Sequence, residues 1–163
     1  MIVTRAILKA SDAVDRVATV LTAVLLGLMT ITTFAQIMGR VLFSALSWSE
    51  ELARYALIWL TFIGAGCVHK RTGHITITLL QDAFTEKIRK VFIILAQLLC
   101  IAVFLVAIYH GFSYMKLMGS QLSAALRIPM RYMYAAIPVG CLVLMLHSGA
   151  LIVKTCTQKE AEK

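Results

Sequence analysis

The sequence predicts an all-α integral membrane protein. It reads as four transmembrane helices with both termini on the cytoplasmic side, plus an amphipathic helix lying in the cytoplasmic interface between helices two and three. Three observations carry this. Of 163 residues, 60% are hydrophobic and 15% charged, where a soluble domain has roughly 45–50% and about 25%. Four stretches long enough to cross a bilayer are free of charge or nearly so. The lysines and arginines outside them fall unevenly on the two sides.

A spanning helix needs roughly 20 mostly apolar residues at a rise of about 1.5 Å each. The first candidate runs from Val17 to Met38 without a charge. Arg5, Lys9 and Arg16 precede it, and "TFA" at 33–35 resembles a cleavage site, which together imitate a secretory signal. Its 22 uncharged residues exceed the roughly 7–15 of a signal core, so it is expected to remain as an uncleaved helix. The second candidate is Trp48 to His69, the third Val91 to Met115, and the fourth Tyr132 to Val153. Residues 1–163 are thus one membrane domain, with no remaining segment long enough for a soluble one. Pro129 sits where a proline can open the last helix, and Pro138 inside it is expected to kink it or free a carbonyl.

Orientation follows from the basic residues. Arg5, Lys9, Arg16, Lys70, Arg71, Lys87, Arg89, Lys90, Lys154, Lys159 and Lys163 share the side of the termini, eleven of the sixteen. Arg40, Arg54, Lys116, Arg127 and Arg131 fall on the other. This asymmetry, with attraction to anionic lipid headgroups, accounts for the net charge of +8 and leaves no reason to invoke nucleic acid. In the connection from Lys70 to Lys90, Ile77, Leu80, Phe84 and Ile88 recur at helical spacing. That pattern predicts an interfacial helix over 77–88 with its apolar stripe in the acyl boundary. The alternative is a short extended piece at 74–80 followed by ordinary loop.

The run "SWSEELARYALIW" at 47–59 puts carboxylates and an arginine at the start of helix two. Ser47 with Glu50 reads as a capping box. Glu50 and Glu51 suit the positive end of the helix dipole, and His69, Lys70 and Arg71 its negative end. Only fourteen uncharged residues separate Arg54 from His69, about 21 Å of helix against a hydrocarbon core of about 30 Å. Some charge therefore lies deep, at a cost that snorkelling or a partner must offset. Glu50 and Arg54 can pair at i, i+4. Glu51 then has no evident mate in this chain, and a contact with another helix, or another protein, is expected of it; caps and snorkelling alone are the competing account. Ala53, Ala56, Gly64 and Cys67 put small side chains on one side of this helix, which permits close approach of a neighbour.

No carboxylate occupies the middle of any span, and paired broken helices are missing, so a self-sufficient proton-coupled transporter is disfavoured. His69 and His147 are the one pair suited in depth to the axial ligation of a haem, but His69 at a helix end is more naturally a cap. Cys67, Cys100, Cys141 and Cys156 lack metal spacing. No nucleophile, base and orienter combination appears, so no enzyme activity, cofactor or metal is expected of the chain.

The run "LSWSEELARYALIWLTFIGAGCVHKRTGHITITLL" at 46–80 resembles the signature of the small membrane subunit of tripartite ATP-independent periplasmic (TRAP) transporters, and "RIPMRYMYAAIPVG" at 127–140 is similar to that family's fourth-helix start. With the four-span plan the resemblance covers essentially the whole chain. It implies a bacterial inner-membrane scaffold subunit paired with a large elevator-type membrane subunit that holds the sodium and substrate sites. A soluble periplasmic binding protein delivers an organic anion to the pair. By the same resemblance Trp48, Glu50, Glu51 and Arg54 belong to the family's characteristic helix-two entrance, and the interfacial helix carrying Ile77, Leu80, Phe84 and Ile88 braces the assembly in the lipid. Those four entrance residues, with the small Ala53 and Gly64, are the expected partner interface, without the match saying which of them touches the large subunit. The closest resemblance is to members serving sugar acids such as sialic acid, with C4-dicarboxylates as runner-up. The contrasting functional class is a stand-alone small transporter or a cofactor-bearing anchor of a respiratory complex.

Overall fold

A computed structural model of the chain describes residues 2–42, 46–81 and 86–157, with side chains over 5–42, 46–71 and 88–157. The elements are α1 (Ile2–Leu42), α2 (Ser47–Gln81), α3 (Glu86–Leu117), the short α4 (Arg131–Tyr134) and α5 (Ala136–Thr157). Four stretches are long and apolar enough to cross a membrane: Arg5–Leu42, Ser47–Arg71, Ile88–Leu117 and Arg131–Thr157. Each contains one of the four expected spans.

Two helices run well past those spans. At about 1.5 Å per residue, the 41 residues of α1 measure about 61 Å and the 35 of α2 about 52 Å, against a hydrocarbon core of about 30 Å. Apolar windows locate where a helix meets lipid, whereas the backbone ladder stops only at a breaker, and no proline interrupts either helix. The extension of α2 corrects the expected helix end at His69. His69, Lys70 and Arg71 lie inside the helix, ten or more residues before Gln81, and cannot serve as its cationic terminus. The helix expected over 77–88 falls partly outside the described residues, at 82–85. Ile77 and Leu80 continue α2, Ile88 stands exposed in the first turn of α3, and Phe84 lies outside the described residues.

Pro138 acts as its chemistry requires. It has no N–H for the carbonyl four residues back, Tyr134, and the helix is interrupted between α4 and α5 at Ala135. Within the interruption the Ala135 N–H still donates to Arg131 at 3.0 Å and the Val139 N–H to Ala135 at 3.2 Å.

The bundle is organised around α5. Half of its most apolar window is buried inside the protein, compared with 11% for α1, 22% for α2 and 6% for α3. Packing against α2 is closest at Gly140, where an added Cβ would stand 2.6 Å from the Cβ of Phe62 and 2.9 Å from its carbonyl oxygen. On the opposite flank, α2 meets α1 through Ala18, Ile63 and Cys67, with Leu25 and Trp59 against them. Gly64 belongs to this contact, 3.5 Å from Thr22 by the same construction. Much of α1 and α3 remains open: Val17, Val20, Ile31 and Phe34 on one, and Leu95, Leu99, Val103 and Val106 on the other, are all more than half exposed. Surfaces of that kind face lipid or a membrane partner.

Candidate functional site

Most of the described polar contacts between separate elements gather in two layers, one near each end of the bundle. The first is built on the opening turns of α2. Residues 46–48 bring the chain into the helix, and Ser49, fully buried, turns its hydroxyl back to donate to the carbonyl of Leu46 at 2.7 Å. The helix starts at Ser47 itself, with the Ser49 hydroxyl folded back along its first turn. One turn on, Arg54 Nη2 donates to Glu50 Oε1 at 3.0 Å, the i, i+4 pair expected from the sequence. Both side chains are about 60% exposed, so the pair adds little to stability.

Glu51 corrects the expectation that it lacks a mate. Its Oε1 accepts from the Tyr55 hydroxyl at 2.6 Å, and its Oε2 accepts from the backbone N–H groups of Ala125 at 2.8 Å and Leu126 at 2.9 Å. An ionised carboxylate offers only acceptors, and here three donors converge on it. Those two amides sit on a hairpin. The Ser123 N–H donates to the Ile128 carbonyl, the Met130 N–H donates to Gln121, each at 2.9 Å, and Leu122 bridges Pro129. The Ile128 N–H donates in turn to Ser123 Oγ at 3.1 Å. The turn closes at Arg127 with φ 52°, the left-handed region that favours glycine. Tyr55 also rests its oxygen 3.6 Å from Met130 Sδ. A groove of ≈ 420 Å³ lies between hairpin and helix, with Glu50, Arg54, Gln121 and Met133 in its lining. Trp48, in the first turn of α2, is 44% exposed, while Ala53 is half-buried.

The second layer ties α1, α2, α3 and α5 together. Lys70 Nζ donates to Asp12 Oδ1 at 2.8 Å and to the Ser11 carbonyl at 3.2 Å, and lies 3.5 Å from Asp15 Oδ2. His69 Nε2 stands 2.9 Å from Ser148 Oγ and 3.2 Å from Gln97 Oε1. His147 Nδ1 meets Ser11 Oγ at 2.8 Å, and both residues are 2% exposed. His69 thus has Nε2 engaged with two partners in this chain. Sequence reasoning placed Lys70 and His69 at a helix terminus and missed this layer. The available signal was Ser11, Asp12 and Asp15, three polar residues clustered on the helix side that precedes an apolar run.

Together the layers account for the length mismatch of α2. The charges that bound its apolar stretch are matched within the chain, by Glu50 at one end and by Asp12 and Asp15 at the other.

Such an arrangement, with polar groups bracing the helix ends and no carboxylate, lysine or arginine in the middle of a described span, defines a polytopic helical membrane component. Residues 29–158 match the family of the DctQ component of tripartite ATP-independent periplasmic transporters, and the chain belongs to that family. It is accordingly a multi-pass inner-membrane transport component and not an enzyme. It is 30% identical over 112 residues to the sialic acid TRAP transporter permease protein SiaT of Haemophilus influenzae, covering 68% of this chain and 18% of that one. With the C4-dicarboxylate TRAP transporter small permease protein DctQ of Vibrio cholerae it shares 28% over 101 residues, 61% of this chain and 44% of the relative. With the sialic acid TRAP transporter small permease protein SiaQ of the same species it shares 27% over 93 residues, 57% and 54% of the two chains. The match spans little more than half of these relatives at most.

Proposed function

We propose that this chain is the small, non-moving scaffold subunit of a sodium-coupled organic-acid uptake system. A large membrane subunit would hold the substrate and coupling-sodium sites, and a soluble binding protein would deliver the substrate. A sugar acid such as sialic acid is the favoured cargo, with a C4-dicarboxylate second, following the printed functions of the relatives. The observation that carries the scaffold role is the pair of polar layers. They fix both ends of the bundle, and the described spans between them offer no charged group for a transported ion or anion.

In this proposal the termini are cytoplasmic by the distribution of basic residues. The Glu51 hairpin then faces the periplasm, where the binding protein arrives. Trp48, Glu50 and Arg54 are the exposed part of the α2 start and the proposed contact with the large subunit; Glu51, facing inward, holds the hairpin in register beside them. The residues from Ile77 to Ile88 are proposed to lie along the cytoplasmic interface.

Co-purification tests this. Tagged chain should retain the large permease subunit of its transporter after detergent extraction, and the double variant Trp48→Ala with Arg54→Glu should lose most of it while inserting normally. Retention at the wild-type level by that variant would remove the α2 start from the interface. Failure of the wild-type chain to hold any large subunit would remove the scaffold role itself.

A further inference from the structure

We infer that Arg127, at the tip of the hairpin between α3 and α4, docks onto a carboxylate-bearing surface of the soluble binding protein. This deepens the proposed function and rests on it, because the hairpin meets a periplasmic protein only with the termini cytoplasmic.

The hairpin belongs to no spanning stretch: it lies between Ile88–Leu117 and Arg131–Thr157. Arg127 is exposed at its turn with φ 52°, the one non-glycine residue with a positive φ among those described. In that region a Cβ crowds the neighbouring carbonyl, a cost that glycine avoids. A side chain kept there despite the cost is a reason to look for its use. The backbone is held on both sides of it. Just before the turn, the Glu51 carboxylate takes the N–H groups of Ala125 and Leu126 at 2.8 and 2.9 Å. Just after it, the Ile128 N–H donates to Ser123 Oγ at 3.1 Å, and the Ile128 carbonyl accepts from the Ser123 N–H at 2.9 Å. Arg127 is thus carried on a fixed frame.

Its charge is unanswered within the described residues. This end of the bundle has Arg40, Arg54, Lys116, Arg127 and Arg131 against Glu50 and Glu51, a surplus of three positive charges. Glu50 is taken by Arg54 at 3.0 Å, and Glu51 by Tyr55 and the two hairpin amides. Arg131 turns to Tyr132, donating to its hydroxyl at 3.3 Å with Cζ 5.0 Å from the ring centroid. Arg127 makes no ion pair or side-chain hydrogen bond among the described residues. A surface of this sign draws in carboxylates, and a guanidinium grips one through two parallel N–H donors. Exposed apolar side chains flank it, Ile128 next in sequence and Leu122 on the opposite strand. Arginine is enriched among the residues that anchor protein contacts.

An anionic lipid headgroup offers the same charge, but it is fluid and meets a flexible arginine as readily as a fixed one. Holding the tip in one conformation lowers the ordering cost of binding where the carboxylates are themselves held in place, as on a folded protein. The geometry therefore favours the binding protein.

Biolayer interferometry tests this, with the complex of the chain and its large permease subunit in nanodiscs and the binding protein in solution. The wild-type complex should bind, more weakly as salt rises. Arg127→Glu should weaken binding about tenfold or more, the effect of losing one anchoring contact. Arg127→Gly removes the cation and suits the turn; it should weaken binding similarly, with an unfolding midpoint at or above that of wild type. Arg127→Lys should fall between. These differences should persist in nanodiscs of zwitterionic phosphatidylcholine alone. Wild-type binding by both Arg127→Glu and Arg127→Gly would overturn the inference and leave the scaffold role standing. A difference confined to nanodiscs containing phosphatidylglycerol would assign the tip to lipid and overturn it as well. A wild-type chain that assembles no complex would overturn the proposed function and this inference with it.

Discussion

Gly140→Ala isolates the contact on which the bundle turns. The added Cβ would lie 2.6 Å from the Cβ of Phe62, 2.9 Å from its carbonyl oxygen and 3.0 Å from its carbonyl carbon. Two of those atoms are backbone, so no rotamer change relieves the clash, and α2 and α5 must separate. Overpacking a filled interior costs about 1–3 kcal/mol, and a rigid obstacle puts this case at the upper end. At about 2–4 °C per kcal/mol for a chain of this size, the unfolding midpoint of the purified protein should fall by about 4–12 °C. Gly149→Ala supplies the control on the same helix: nothing lies within 4 Å of its added Cβ. There the helix-propensity gain of about 1 kcal/mol should leave the midpoint unchanged or raise it. Scanning fluorimetry in detergent reads both. A Gly140→Ala midpoint equal to wild type would show that α5 does not approach α2 as described, and the central position of α5 would fall with it.

Three further outcomes follow from the polar layers. Glu51→Ala should speed hydrogen exchange at the Ala125 and Leu126 amides, which lose their acceptor, while α1 and α3 keep their protection; unchanged protection would detach the hairpin from Glu51. Tyr55→Phe should give a smaller effect at the same amides, because the Oε2 contacts survive. Lys70→Met should destabilise the chain by about 1–2 kcal/mol, between the values for exposed and buried pairs, since Lys70 is 19% exposed while Asp12 is 63%. Faster tryptic cleavage at Lys9 and Arg16 should accompany it; wild-type cleavage would mean that α1 is held by packing alone.

The four spans were legible because lipid imposes a crude requirement, length without charge, that survives in composition. The Glu50 and Arg54 pair was legible for a similar reason, as helical spacing alone places the two side by side. Glu51 was not. Its partners include backbone N–H groups 74 and 75 residues away, and a main-chain donor has the same chemistry at every residue. The Ser11 and His147 pair spans 136 positions and joins the first helix to the last, a juxtaposition that only packing creates. The inward turn of Gly64 was hidden likewise: a small residue declares that something approaches closely, without saying whether the neighbour is in the same chain. Helix ends were misplaced at His69 because a basic cluster marks the edge of the hydrocarbon, while the ladder of hydrogen bonds continues past it.

The central claim is that this chain braces a transporter and does not itself carry cargo. Proteoliposomes containing the purified chain alone, under an inward sodium gradient, test it most directly with radiolabelled sialic acid and a C4-dicarboxylate offered outside. Uptake should stay at the level of empty vesicles, and should appear only when the large permease subunit and the binding protein are added. Concentrative, sodium-dependent uptake by the chain alone would contradict the account.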